Sequence, residues 1–267
     1  LEAAVVARGA AGTPRRPGLW AGASSTSSAP HFDLFSNCYV VLAGEKKVAL
    51  APPDSLAAFK PYPTTHPRAR QASVDAFEAA VAPRAATLRA GDAIHIPPGW
   101  IHRFEVGAAP ALAVASTALP PEHTYFDAWV RDFRRVTPFV GNAWTHYRFV
   151  GTLRAFARAL ARELAPAALH DLADAYSDAV RRELALPPRR SRATPPCPEA
   201  DATDALAAVA AARSVADEFR ANFRPELRPL YLSPFLETAL SRAPRGQSGA
   251  ALWADVLDFV DACLLSP

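Results

Sequence analysis

The chain has 267 residues, half of them hydrophobic, and a formal net charge of +3. That length suits one large domain or two small ones, with enough apolar residues for a sizeable core. No apolar run approaches the length of a bilayer-spanning helix, and the small net charge is a weak signal for nucleic-acid binding. We therefore expect a globular protein without a membrane partner.

The three cysteines stand far apart, so they form neither a disulfide framework nor a paired zinc motif. This favours a reducing, intracellular compartment, cytoplasmic or nuclear. The sequence begins at Leu1 and contains no methionine, which indicates a fragment or a processed form of a longer chain.

The first third of the chain predicts extended structure. Residues 1–30, rich in Ala, Gly, Pro and Ser, predict an extended stretch or loop that leads into a strand at His31. Apolar residues over 38–50 predict one buried strand, which ends before Pro52 because proline cannot continue a central ladder.

Residues 54–116 contain several turn signals between short predicted elements. Residues 54–71 predict an irregular loop, and 73–83 carry a short helical pattern. Gly91-Asp92 and Pro97-Pro98-Gly99 predict two turns between short strands, and a further strand is predicted over 111–116. Several short strands with Gly and Pro turns are typical of a barrel or a double-sheet roll.

Beyond Pro120 the pattern becomes helical. Strands first and helices second predict an α+β arrangement, with a roll over 1–119 and a helical region over 120–267. The predicted helices, interrupted by a Pro/Arg-rich linker at 186–200, cover 149–164, 167–185, 203–223 and 250–264.

His31 and Asp33 stand two residues apart where a strand is predicted. On a strand this spacing puts both side chains on the same face, where they supply two ligands of a facial triad. A histidine from another strand would complete the set. Two histidines and one carboxylate with open positions suit Fe(II) that activates O2. For so short a motif the alternative is a purely structural role, in which the histidine is a hydrogen-bonded residue of the core.

Four motifs follow one another in the order "WAG", "PHFDLFSN", "GEKKVALAPP" and "GDAIHIPPGWIH". On these motifs the sequence resembles the JmjC-type, or cupin-like, Fe(II)- and 2-oxoglutarate-dependent oxygenases. Within that group it is most similar to the small JmjC protein hydroxylases, such as the asparaginyl hydroxylase of the hypoxia pathway. The resemblance covers about residues 19–119. It implies a double-stranded β-helix, the cupin-like jelly roll, followed by a helical C-terminal region.

The resemblance implies a metal site. His31 and Asp33 match the two ligands of the HxD motif, and His102 in "PPGWIH" matches the distal histidine ligand. The implied cofactors are Fe(II), 2-oxoglutarate as co-substrate, and O2.

The resemblance also implies a co-substrate site. Lys46 matches the lysine that pairs with the far carboxylate of 2-oxoglutarate, and a buried lysine beside a carboxylate forms a charge-assisted pair. Asn37 matches a polar residue near the co-substrate, and Ser28 a hydroxyl that hydrogen-bonds the same carboxylate. Lys47 has the opposite strand parity, so we expect it to point into solvent.

The sequence departs from the family at several points. An aromatic pair usually precedes the distal histidine, and here Trp100-Ile101 stands instead. A polar residue is implied on the last strand within 115–117, without one residue being fixed. Further strands and a tyrosine that holds 2-oxoglutarate are implied ahead of His31, in a region that we expect to lie mostly outside this sequence.

The implied function is an Fe(II)/2-oxoglutarate-dependent dioxygenase that hydroxylates a protein side chain, so a protein substrate is the expected partner. An RNA-modifying oxygenase of the same fold and a non-catalytic cupin-like binding module are the alternatives. A helical row of Arg154, Arg158 and Arg162 would be the RNA footprint, although a solvated helix face explains it as well. The resemblance further implies a homodimer through the C-terminal helices. His95 is a second metal-ligand candidate, less favoured than a hydrogen-bonded strand-end histidine.

Overall fold

The computed structural model describes residues 13–14, 17–62, 66–78, 83–131, 202–228 and 230–231, together with isolated helical positions between 152 and 183. The chain divides into two compact units. The first comprises residues 1–61 and 70–125, and the second residues 62–69 and 126–267. The domain boundary predicted after residue 119 stays a prediction.

Nine strands in the described part of the chain form two antiparallel sheets. The first sheet contains β1 (Thr13–Pro14), β2 (Gly18–Gly22), β4 (Ser36–Ala43), β7 (Ala93–Ile96) and β9 (Ala111–Leu119). The second contains β3 (His31–Phe32), β5 (Glu45–Ala51), β6 (Arg84–Arg89) and β8 (Ile101–Val106).

The two sheets have the topology of a jelly roll. The first runs β2-β9-β4-β7, with β1 pairing further along β9, and the second runs β3-β8-β5-β6. Because the chain passes repeatedly from one sheet to the other, strands distant in sequence become neighbours. The predicted roll, within a mixed α+β fold, is confirmed.

The core of the first unit contains side chains of both sheets. Tyr39 and Val41 of β4 cluster with Val48 and Leu50 of β5, and Trp100 and Phe104 pack against the cluster. Strand β5 alternates between buried and exposed positions, as a strand with one buried face does.

The single strand predicted over 38–50 is wrong, since the chain forms β4 and β5, which belong to different sheets. Gly44 connects them with a φ of +74°, and a Cβ at that position would lie 2.5 Å from the carbonyl oxygen of Pro110. Glycine adopts this backbone conformation without steric cost, so the chain can change sheets within one residue. The polar residues Glu45, Lys46 and Lys47 follow Gly44 directly, so the break lies between two apolar runs.

The helix predicted over 73–83 is wrong for its described residues, 73–78, which form bends and a turn. The backbone N–H groups of Ser73 and Val74 donate to the carbonyls of Lys60 and Phe59, and Asp75 Oδ1 accepts from the N–H of Phe77. The Asp75 side chain thus accepts from the N–H of Phe77, which in a helix beginning at Ser73 would donate to the carbonyl of Ser73. Conversely, a 3₁₀ turn at Pro53–Ser55 and the short helix α1 (Leu56–Phe59) begin the predicted loop.

Both predicted turns are confirmed. Gly91 has a φ of +97° and Gly99 a φ of +79°. Asp92 Oδ2 accepts a hydrogen bond from the N–H of Arg89, so its side chain serves the turn.

Helices follow the roll. Helix α2 covers Pro121–Arg131 and α3 covers Ala202–Asn222, which confirms the helix predicted over 203–223. The described positions of the predicted helices 149–164 and 167–185 are helical, and Phe156 and Leu160 are buried. The predicted helix 250–264 and linker 186–200 lie outside the described residues. Within the described part, none of the helices combines the length and apolar character that crossing a bilayer requires.

Candidate metal and co-substrate site

Strand pairing brings the two histidines of the predicted triad together. In the antiparallel pair β3–β8, His31 lies directly opposite His102. Asp33 follows β3, and its carbonyl accepts a 2.7 Å hydrogen bond from the N–H of Gly99, in the turn before β8. The register of one strand pair and the adjoining turn therefore fix all three residues.

His31, Asp33 and His102 each offer one ligand atom, and these atoms lie within 4.8 Å of one another. His102 Nε2 is 3.8 Å from Asp33 Oδ2, which is too long for a hydrogen bond. Because imidazole–metal and carboxylate–metal bonds are about 2.0–2.2 Å long, two atoms at this separation can bind one ion.

Each imidazole is oriented by a backbone carbonyl two residues earlier. His31 Nδ1 lies 2.9 Å from the carbonyl oxygen of Ala29, and His102 Nδ1 lies 3.2 Å from that of Trp100. Metal-binding histidines commonly donate one ring N–H in this way, which leaves the other nitrogen to the ion. The donor set of two imidazoles and one carboxylate therefore fits a divalent iron site.

Burial sets the protonation of the triad. Burial, and secondarily the charge of His31, lowers the pKa of His102 to about 3, so its imidazole is neutral near pH 7. Burial raises the pKa of Asp33, while His31 and Arg70 oppose that shift. A bound cation would strongly favour the ionised carboxylate.

The triad borders a cavity of about 470 Å³ between the sheets. Its walls also include the other three predicted site residues, Ser28, Asn37 and Lys46. The structure therefore brings all six predicted site residues to one cavity, while their roles stay predictions.

Lys46 is a buried cation in this cavity, with only 4% of its surface exposed. Its Nζ donates to Tyr39 Oη over 2.7 Å and approaches the carbonyl oxygen of Trp20 at 3.4 Å. Among the described residues, no carboxylate lies within ion-pair distance of it, and burial lowers its pKa. A buried charge without a counter-ion is costly, so an anionic ligand would stabilise it.

Polar groups of the first sheet and of the segment beside β8 add to the cavity wall. Ser28 Oγ accepts a hydrogen bond from the N–H of Phe104, which fixes the segment beside β8. Asn37 is 8% exposed, and its Oδ1 has no hydrogen-bond partner among the described residues. On the last strand Thr117 lies opposite Asn37 and lines the cavity with Ala115, so it is the polar residue within 115–117 that faces the site.

Other candidates lie elsewhere. Lys47 is exposed, which confirms the prediction that its side chain points into solvent. His95 lies on β7, where its Nε2 is 2.6 Å from Ser36 Oγ, and it is not part of the triad cluster. The resembled oxygenases usually have an aromatic pair before the distal histidine. Here Trp100-Ile101 stands in its place, and Ile101 is buried. Arg154 and Arg158 lie outside the described residues.

Sequence reasoning missed Tyr39, the Trp20 carbonyl and Arg70. Tyr39 reads as a core aromatic within an apolar strand, and only the packing of the two sheets shows its contact with Lys46. Arg70 has an unusual backbone φ of +66°, and its carbonyl accepts from the N–H of Phe32, which places its charge near Asp33. No local sequence pattern signals either contact.

Known proteins resemble this chain over the roll. Residues 3–116 match the family model of the cupin-like domain. The fold is cupin-like. A lysine-specific demethylase, JMJ31 of Arabidopsis thaliana, is 32% identical over 98 residues, which cover 33% of this chain and 18% of that protein. This chain thus spans less than a fifth of its curated relative.

Two solved structures resemble this chain over part of its length. An oxalate oxidase has a TM-score of 0.27 and 17% sequence identity, and the match covers 39% of this chain and 41% of the oxidase chain. The cupin domain of Drosophila melanogaster CENP-C has a TM-score of 0.25 and 12% sequence identity, and the match covers 37% of this chain and 57% of the CENP-C chain. The family model and the demethylase relative confirm the expected likeness at the level of the cupin-like and JmjC proteins. The narrower likeness to the asparaginyl hydroxylase stays a prediction.

Proposed function

We propose that this chain is an Fe(II)- and 2-oxoglutarate-dependent dioxygenase that hydroxylates a protein side chain. The supporting observation is that His31, Asp33 and His102 converge on a cavity that also holds the buried Lys46. Iron bound by the triad would couple the oxidative decarboxylation of 2-oxoglutarate, to succinate and CO2, to oxygen insertion from O2 into a substrate C–H bond.

The residues of the chain divide this work. The carbonyls of Ala29 and Trp100 hold the two imidazoles in the orientation that presents Nε2 to a metal. Lys46 supplies positive charge for the carboxylate at the far end of the acid, in a site whose burial strengthens the attraction. Together these groups define two fixed ends for one elongated dicarboxylic ligand.

A methylated lysine is the second candidate substrate, because the curated relative is named a lysine-specific demethylase. Oxygen insertion into an N-methyl group gives a product that releases formaldehyde, whereas hydroxylation of a side-chain carbon leaves the oxygen on the protein. Formaldehyde release from candidate peptides therefore separates the two substrates.

The test is succinate formation from 2-oxoglutarate by the purified chain with Fe(II) and ascorbate, over long incubations. We expect His102→Ala to abolish iron-dependent succinate, while the control His95→Ala, at a histidine outside the triad, retains it. Lys46→Ala should weaken the use of 2-oxoglutarate about 10-fold or more, since a hydrogen bond to a charged group contributes about 1.5–3 kcal/mol. Its neighbour Lys47→Ala, on the exposed face, is the matched control.

Equal activity in Lys46→Ala and Lys47→Ala would contradict the role of Lys46. Complete absence of succinate, with no metal-dependent binding of 2-oxoglutarate, would instead favour the non-catalytic binding module. The RNA-modifying alternative predicts RNA affinity that falls steeply with salt concentration.

A further inference from the structure

Strand β6 is a free edge of the second sheet. It pairs with β5 in an unbroken register from Arg84 to Arg89, and among the described residues no strand pairs with its other side. Residues 84–87 are all exposed. An edge of six residues that has neither a bulge nor a proline is a ready template for a further strand.

The backbone groups that β6 turns outward can be identified from the ladder. The carbonyl of Glu45 accepts from the N–H of Gly107, just past β8, so Glu45 and every second residue after it bond to β8. The intervening residues of β5 bond to β6, where Ala86 is one of their partners. Ala85 and Thr87, on either side of it, therefore turn their N–H and C=O groups away from the sheet. The described residues give these groups no partner, so two donors and two acceptors remain for an added strand.

Ala85 and Thr87 also border a depression of about 280 Å³ on the outer face of the second sheet. Lys47 lines this depression, whereas its neighbour Lys46 lines the cavity of the triad, so the two lie on opposite faces. Ala49 lies directly opposite Ala85 and lines the depression with it. Both side chains are small, which leaves room for the side chains of an added strand.

Lys47 is a cation without a carboxylate partner among the described residues. Glu105 lies directly opposite it on β8, but Glu105 Oε1 accepts from Arg103 Nη2 over 2.8 Å. The Arg103 guanidinium also pairs with Asp75 and lies 5.4 Å from the ring centroid of Phe77, which fixes its position. An exposed, uncompensated cation beside a free edge favours an acidic partner.

A second copy of this chain fits the edge less well. The symmetric pairing of two β6 strands that uses all the free groups puts Ala85 of one copy opposite Thr87 of the other. Across the outer face, the row that starts at Lys47 and Thr87 would continue through Ala85 and Ala49 of the other copy. That row brings no carboxylate to Lys47.

We propose that β6 is a docking edge for an extended acidic segment of another protein, which adds as a strand at Ala85 and Thr87 and directs a carboxylate to Lys47. Thr87 lies directly opposite Lys47, so a side chain of the segment that faces Thr87 lies on the same face as the lysine. Main-chain hydrogen bonds would supply affinity, and Lys47 the preference for acid. The edge lies apart from the cavity of the triad, so this inference does not depend on the proposed function.

The first test measures charge preference with two labelled peptides of seven residues, whose ends are blocked. One alternates valine with glutamate, and the other has lysine in place of glutamate. By fluorescence polarisation, we expect the wild-type chain to bind the glutamate peptide about fivefold or more tightly than the lysine peptide. Lys47→Glu should reverse this preference. Arg213→Glu, the same change of charge at an exposed residue of α3, should keep it.

The second test removes one outward backbone donor. Proline is tolerated on an edge strand where its nitrogen faces solvent, so Thr87→Pro should fold and bind the glutamate peptide about 5- to 10-fold more weakly. Thr87→Val, which keeps the N–H, is the matched control, and circular dichroism checks the fold of both. In the wild-type chain, the glutamate peptide should slow hydrogen exchange at the amides of Ala85 and Thr87.

Three results would overturn the proposal: no binding of the glutamate peptide, equal binding of the two peptides, or exchange protection only outside β6. Equal affinities of Thr87→Pro and Thr87→Val would contradict strand addition. A wild-type dimer in sedimentation that Thr87→Pro dissociates would assign the edge to a second copy of this chain, and would also overturn the proposal.

Discussion

Single residues in this cavity differ in ionisation from the same groups in water. Burial raises the pKa of Tyr39 to about 12 and lowers that of Lys46, so burial shifts each of the two hydrogen-bonded groups towards its neutral form. The folded chain therefore retains the Tyr39 proton between about pH 10 and 12, where an unfolded chain has lost it. The contribution of Tyr39 to stability is present below pH 10 and is lost as the pH rises towards 12.

This shift predicts a late-ionising tyrosine. In an alkaline titration followed by the absorbance of tyrosinate, subtracting the Tyr39→Phe curve from the wild-type curve should give a transition near pH 12. Circular dichroism identifies the pH range in which the chain stays folded. A transition near pH 10, the ordinary pKa of a tyrosine, would contradict the effect of burial on Tyr39.

At the residue scale, the sequence predicted the groups that have a local spacing or a family motif. His31 and Asp33 follow from strand parity, and His102 follows from the resemblance; the three ligand atoms cluster as expected. Tyr39 and Arg70 could not be found in this way. Their contacts depend on the packing of sheets and loops that are separate in sequence, and no periodicity encodes that packing.

At the scale of elements, the sequence predicted whether a segment is a helix or a strand better than where that element begins and ends. Helix α3 lies within one residue of its prediction, because its apolar period extends over many turns. One strand is predicted in place of β4 and β5 because apolar residues lie on both sides of a short break, although Gly44 and the polar residues that follow it mark the crossing. At the start of the helical pattern over 73–83, the Asp75 side chain accepts the Phe77 N–H that a helix would pair with the Ser73 carbonyl.

Two glycines allow a matched test of the crossing between sheets. Gly44 and Gly91 both have positive φ, but a Cβ at Gly44 meets Pro110 and Ala111 within 3 Å, while one at Gly91 meets nothing within 4 Å. We expect Gly91→Ala to cost about 1–2 kcal/mol of unfolding free energy from backbone strain alone. Gly44→Ala adds overpacking of about 1–3 kcal/mol.

Denaturant unfolding measures both glycine variants. Equal losses of stability would show that the contact with Pro110 relaxes freely, and that the crossing does not depend on close approach of the two backbones.

At the scale of the whole molecule, the candidate site belongs entirely to the first of two compact units. The triad joins β3, the residue that follows it, and β8. An ion bound there would link these segments in the folded state only, so metal binding adds to stability through mass action.

Metal removal should therefore destabilise the protein. At a free Mn(II) concentration 100 times the dissociation constant, we expect a gain of about 2.7 kcal/mol in unfolding free energy, which a chelator reverses. Thermal unfolding with and without Mn(II) measures the shift. His102→Ala should show none of it, whereas His95→Ala should show all of it. A shift that survives in His102→Ala would mean that the ion binds elsewhere.

Two contacts in the wall of the cavity differ in the sequence separation of their residues. The Tyr39–Lys46 contact spans seven residues across the Gly44 connection, while the pairing of His31 with His102 spans about seventy. Short-range contacts incur a smaller loop-closure cost, and long-range pairing comes later in folding. During folding, the contact between Tyr39 and Lys46 would therefore form before the pairing of His31 with His102. A folding chain would assemble the Lys46 part of the cavity first and the triad last.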